Sequence, residues 1–358
     1  MGREVFAVRM TPGERVMAAV KGQPFDVCPA ISATSVATVS AMKSTGAFFP
    51  AAHTNAFGIA DLAAAGHELF GFDSVAPYFS IHLEAAALGV DVDWGDPFNM
   101  PKVKGVRLER IEDASVPSGI LEKRELRQLL KAIRILRERY GEKVPVIGKV
   151  VGPWTLAYHL RGVENLLIDT VLEPDKTQKA IEALSALPVA FAKAQFEAGA
   201  AAVVWADHMT SDLVSAELYK EMLLPVHKRA MLELSGYGPI ILHTCGNVMD
   251  RIGYFAEAGF TCFHMDSRNP IRSAVQQMGD RIRIIGGINN PVTLSQGTWG
   301  RVRREAESTL RSGVQLIAPE CAIPMNVSSD NLRELVKTVH RCTYEESMRY
   351  RLSETDRA

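Results

Sequence analysis

The chain has 358 residues, of which 47% are hydrophobic and 23% charged, and its formal net charge is −1. Such a balance describes a folded globular protein and excludes the one-signed electrostatic field of a nucleic-acid binder. No run of about 18 apolar residues offers a membrane span, and the opening MGREVFAVRMTPGERV lacks the apolar core of a secretion signal, so a cytoplasmic protein is expected.

The first predicted element begins at Thr11-Pro12-Gly13-Glu14. Threonine caps a helix, proline suits its first position, and a glutamate three residues after the cap can reach back to it. Residues 1–25 read as a helical lead-in. Short apolar runs then follow at 27–30, 74–79, 144–150, 201–206, 239–244, 261–265, 282–288 and 314–318. They are nearly continuous in hydrophobicity, as in parallel strands covered on both faces. Between them lie helical patterns at 122–140, 174–198, 215–234, 247–258, 270–278, 298–312 and 331–348, and Gly199, Gly259, Gly279 and Gly313 sit where helices should stop. Residues 95–113 read as an irregular insertion near the rim. The whole, 1–358, is expected to be one α/β domain, a (β/α)₈ barrel (a TIM barrel) with an N-terminal helical extension. The competing arrangement is an open doubly wound sheet.

Five cysteines, an odd number in a chain without a secretion signal, argue against a disulfide framework. Cys28, Cys262 and Cys342 read as core or surface thiols. Cys245 and Cys321 differ, because each ends a predicted strand. In a barrel, chemistry gathers at the C-terminal strand ends. The fifth predicted strand ends His243-Thr-Cys245 and the eighth ends Pro319-Glu-Cys321. Residues two apart on an extended strand point the same way, so His243 and Cys245 are placed to reach one ion, with Cys321 arriving from another strand. One imidazole and two thiolates are zinc ligands, and three protein ligands leave a fourth position open for chemistry. The plainer alternative is that these side chains only pack, the histidine resting on a backbone carbonyl.

Other strand-end residues are weaker candidates. Glu84, after the second strand, is a candidate fourth ligand or proton donor, or an ordinary helix residue. Asp207 and His208, at the fourth strand, are candidate catalytic groups. His264 and Asp266, at the sixth, and Asn289, at the seventh, are candidate cofactor contacts. Trp94, Trp154, Tyr158, Trp205, Met209 and Met325 either line a pocket or fill the core. The phosphate loop, the dinucleotide fingerprint and the nucleophile elbow are all missing.

Thr11-Pro-Gly-Glu-Arg15, Val90-Asp-Val-Asp-Trp-Gly-Asp96, Gly152-Pro153, Leu242-His-Thr-Cys-Gly246 and Ala318-Pro-Glu-Cys321 together resemble the uroporphyrinogen decarboxylase superfamily, and within it the corrinoid-dependent methyltransferases. The likeness runs from about residue 10 to 340. It implies a barrel with zinc on His243, Cys245 and Cys321. Decarboxylation is disfavoured, because 27–35 holds no arginine to grip a substrate rich in carboxylates.

Two methyltransferase readings follow from the resemblance. In one, zinc activates a thiol such as coenzyme M, which takes a methyl from cobalt. In the other, it activates the oxygen of a methoxylated aromatic ether, whose methyl passes to cobalt. Enzymes of the coenzyme M type carry glycine before the third ligand, where this chain has Glu320. On that departure, O-demethylation of an aromatic ether is the favoured expectation, with the thiol reading, an amine or a thioether as alternatives. The D-x-H-x-x-G cobalt-ligating signature is missing, so a separate corrinoid protein is expected to supply methylcobalamin or cob(I)alamin. A small-molecule methyl donor or acceptor completes the expected partners, and a homodimer is left open. Outside this class stand a metal-binding scaffold without activity and a zinc hydrolase. Two thiolates already neutralise the ion, which disfavours water activation.

Overall fold

The computed structural model describes residues 9–352, so the start of the lead-in and the last six residues lie outside the described part. The first helix, Pro12–Val20, begins as its sequence dictates. The Glu14 amide donates to Thr11 Oγ1 at 3.2 Å while the Thr11 amide donates to Glu14 Oε2 at 2.8 Å.

The rim insertion carries an antiparallel hairpin of β1 (Val92–Asp93) and β2 (Lys102–Val103). A parallel sheet then runs in chain order through β3 (Ile147–Val151), β4 (Ala202–Ala206), β5 (Ile240–Thr244), β6 (Cys262–Met265), β7 (Arg283–Ile288) and β8 (Leu316–Pro319). Every residue of these strands except Arg283 is buried, because helices cover the outside and side chains fill the bore.

The expected strands at 27–30 and 74–79 are reduced to isolated bridges, yet they close the ring. Ala30 bridges to Ile317 of β8, and Val75 bridges to Val146 beside β3. The Asp73 amide donates to the Ala30 carbonyl at 2.8 Å and joins the two segments. Their ladders are short for a chemical reason. Pro29 and Pro77 have no N–H to give, and side chains take other backbone donors: Ala30 N–H goes to Asp73 Oδ2 and Ser32 N–H to Ser74 Oγ.

Asp73 anchors this seam. Its Oδ1 accepts from Arg15 Nη1 at 2.6 Å, and its Oδ2 pairs with His340 Nε2 at 2.7 Å. Both Arg15 and Asp73 are buried. The lead-in helix, the seam and the C-terminal region therefore meet on one carboxylate.

Three long predicted helices are interrupted. The 174–198 pattern divides into Pro174–Leu184 and Ala186–Glu197, where Pro188 leaves the Leu184 carbonyl without its donor. Within 215–234 a π turn, Tyr219–Leu223, precedes Pro225, which likewise withholds a donor. The 331–348 pattern becomes Ser329–Val339 and Tyr344–Leu352, because Thr343 and Glu346 bond reciprocally and start a new helix. Among the described residues, no helix is long and apolar enough to cross a membrane.

Candidate metal centre

His243 lies on β5 and Cys245 follows two residues later. Cys321 stands just beyond β8. Ring curvature brings them together across two intervening strands, and their ligand atoms lie within 4.8 Å of one another. Cys245 Sγ is 3.3 Å from His243 Nε2 and 3.4 Å from Cys321 Sγ, well beyond the ~2.05 Å of a disulfide. His243 Nδ1 donates to the His264 carbonyl at 3.3 Å, which leaves the Nε2 lone pair facing the sulfurs. Cys245 donates to Cys321, and that bond holds the Cys321 thiol below its ordinary pKa and Cys245 above. An imidazole and two sulfurs converging on one point fit a borderline-soft divalent ion.

The turn after Cys245 depends on glycine. Gly246 has φ +83°, and a Cβ there would come within 2.2 Å of Thr210 Oγ1. Its amide donates to Asp266 Oδ2 at 2.8 Å, and the other Asp266 oxygen accepts from Arg268 N–H. Asp266, expected as a cofactor contact, instead grips the loop that carries a ligand.

The remaining candidates divide. Asp207 is buried, with Oδ1 taken by the Thr155 amide and hydroxyl, both at 2.8 Å, and Oδ2 by His227 Nε2 at 3.1 Å. Its carboxylate ties strand ends together and has no free face for a substrate. His208 is only half-buried, and its ring feels His243 and Cys321, which places it beside the cluster. His264 is fully buried behind His243, the two rings 4.7 Å apart and stacked, with its Nε2 on the Pro319 carbonyl. That position sets His264, expected as a cofactor contact, behind the cluster. Asn289 caps the turn after β7 through Val292 N–H and also bonds Ser267. Glu84 is fully buried, accepting from Tyr78 Oη and from Val151 N–H at 2.8 Å. Burial raises its pKa to about 7. Both its oxygens are occupied, which speaks against the expected role of fourth ligand. Glu320, whose presence had favoured an ether substrate, accepts from Ser267 and from the Asn290 amide. It therefore binds neighbouring loops.

One charged residue of this region was not singled out in the sequence. Lys149 sits in the middle of β3, is 5% exposed, and lies with Nζ 4.9 Å from the Tyr78 ring centroid. Its only signal was a lone charge within the apolar run 144–150.

The family model described as uroporphyrinogen decarboxylase (URO-D) matches residues 11–342. A methylated-thiol–coenzyme M methyltransferase of Methanosarcina mazei is 33% identical over 329 residues, covering 92% of this chain and 89% of that protein. A methylcobamide:CoM methyltransferase of Methanosarcina acetivorans is 33% identical over 342 residues, covering 93% and 99%. Among solved structures, a methyltransferase from Methanosarcina mazei superposes with a TM-score of 0.89 at 29% identity, covering 93% of this chain and 99% of that one. A barrel with this ligand cluster, matched along nearly its whole length, belongs to the uroporphyrinogen decarboxylase family, in its methyltransferase branch.

Proposed function

We propose that the protein is a zinc-dependent methyltransferase that moves a methyl group between a corrinoid, carried by a separate protein, and a small thiol. The observation that carries this reading is the cluster of His243, Cys245 and Cys321, whose ligand atoms lie within 4.8 Å. These three residues would hold zinc. When bound, the ion supplies Lewis acidity that keeps a thiol ligand deprotonated near neutral pH.

The chain's own groups prepare that site. The His264 carbonyl fixes the His243 tautomer, and Asp266 fixes the Cys245 loop. Cys321 is already the more acidic of the two thiols. Two thiolates bring the formal charge of a divalent ion to zero, which suits a sulfur nucleophile better than hydrolytic water.

The thiol reading displaces the ether reading on two grounds. Glu320, which had favoured the ether, is occupied by Ser267 and Asn290 and carries no information about substrate. The relatives are named for coenzyme M or methylated thiols, and they support a thiol here. The chain has no D-x-H-x-x-G segment, which supports a corrinoid arriving on a partner.

The test is methyl transfer with purified protein and free cobalamin. Methylcobalamin plus a small thiol should give cob(I)alamin and the methyl thioether. Transfer from methoxyarenes to cob(I)alamin with none to thiols would overturn the reading, as would no transfer at all.

A further inference from the structure

We propose that Cys28 and Cys342 are a redox-sensing pair, which a hydroperoxide converts into a disulfide that staples the first segment of the ring to the C-terminal region. The pair stands apart from the methyl-transfer reading and does not depend on it.

Backbone pairing sets the two residues face to face. Val27 bridges to Thr343 in the antiparallel sense, and the Cys28 amide donates to the Cys342 carbonyl at 2.8 Å. Residues opposite each other in such a pair have Cα atoms ~5.5 Å apart, inside the ~4.4–6.8 Å that a disulfide spans. Both sulfurs are free thiols here, and they are hydrogen-bond partners. That bond holds the Cys342 thiol below its ordinary pKa and, with burial, pushes the Cys28 thiol up.

Their surroundings assign them different parts. Cys342 borders a surface cleft of about 190 Å³ whose walls include Arg311, Arg341 and Glu346. Cys28 is fully buried. The more acidic thiol is thus the one that a small oxidant reaches, and the buried thiol beside it is placed to resolve the product. The Cys342 thiolate attacks one oxygen of hydrogen peroxide and the O–O bond breaks. Cys342 becomes a sulfenic acid, and the departing hydroxide takes a proton. The Cys28 sulfur then attacks the Cys342 sulfur and gives up its proton, the S–O bond breaks, and water leaves. Two thiols lose two electrons, and one hydrogen peroxide becomes two waters.

A bond between residues 28 and 342 closes almost the whole chain into one loop, and long loops are where a cross-link restricts the unfolded state most. It reinforces the seam that Asp73 holds through Ala30 and His340. The metal centre lies elsewhere. Ala30 pairs with Ile317, which puts Cys28 level with Gln315, ~20 Å of extended chain before Cys321.

Ordinary core thiols would ignore an oxidant while the protein stays folded. The zinc-loaded protein is therefore treated with an equivalent of hydrogen peroxide, blocked with an alkylating agent, digested and mapped by mass spectrometry. The expected product is a peptide pair joined through Cys28 and Cys342, lighter than the reduced pair by the lost hydrogens. The oxidised protein should melt about 4 °C or more higher, and dithiothreitol should remove both the link and the shift. Cys342→Ser should prevent both. Cys28→Ser should leave Cys342 as a sulfenic acid that dimedone labels, and Cys28→Ala serves if serine in that buried place unfolds the chain. Recovery of both thiols alkylated after peroxide, or a link confined to Cys245 and Cys321, overturns the pair. A link through Cys28 and Cys342 with no change in melting overturns the staple.

Discussion

Gly246 donates its amide to Asp266 at 2.8 Å, and this bond sets how Cys245 enters the metal cluster. Groups that orient ligands typically influence metal affinity by 10–100-fold. Asp266→Ala should therefore weaken metal binding by about tenfold or more while the fold persists. Chelator competition followed by metal analysis checks the affinity, and circular dichroism checks the fold. Unchanged affinity would mean the loop holds itself.

Cys321 comes from the other side of the ring and supplies the more acidic sulfur. Cys321→Ala should lose bound metal to roughly a tenth of the native content or less, and methyl transfer with it, because two ligands hold zinc poorly. The barrel should remain, since Cys321 lies beyond the end of β8. Full activity in this variant would remove the cluster from the reaction.

At the seam, Asp73 bonds Arg15 at 2.6 Å and His340 at 2.7 Å. Asp73→Ala leaves Arg15 paired with Asp26 alone and takes the partner from its Nη1 donor and from the Ala30 amide. Leaving buried donors unsatisfied costs about 1–3 kcal/mol, so urea unfolding should shift to a lower midpoint. A loss below about 1 kcal/mol would mark the pairing as incidental to closure.

Of the buried histidines that tie stability to pH, two stand apart from the metal cluster. His53 and His159 each have a ring nitrogen without a partner, and burial lowers the pKa of each to about 3. Both stay neutral when folded and take a proton when unfolded once pH falls below about 6.5. Their contribution is complete above that value and is lost as pH falls toward 3, by about 1.4 kcal/mol per pH unit for each histidine. Unfolding midpoints at pH 7.5 and 5.5 should differ accordingly. His53→Phe with His159→Phe should reduce the dependence, His264 keeping its own share, and an unaltered slope would contradict the assignment.

The convergence of His243, Cys245 and Cys321 was legible because its signals are strong and local. A histidine and a cysteine two apart on a strand must share a side, and thiols are scarce in this chain. The alternation of apolar runs with helical patterns revealed the ring. The seam segments were less regular than expected because Pro29, Pro77 and the side chains of Asp73 and Ser74 replace a ladder, and such substitution is invisible until partners are known. Asp207 was read toward the substrate because it stands at a strand end, and Glu320 because it replaces the glycine of the coenzyme M type. Whether a carboxylate faces the cavity or turns to a neighbouring amide depends on the loop beside it, here Thr155 for one and Ser267 with Asn290 for the other. Lys149 was passed over for the opposite reason: periodicity marks faces, and a single charge within an apolar run does not announce which side of the strand it takes.

Asp73 draws its partners from residues 15, 30 and 340, so they exist together only after residue 340 has left the ribosome. A nascent chain halted before residue 340 has an acid at the seam short of one partner, although β8 is already made. Barrel closure thus waits for residue 340, and the open ring needs shielding until then.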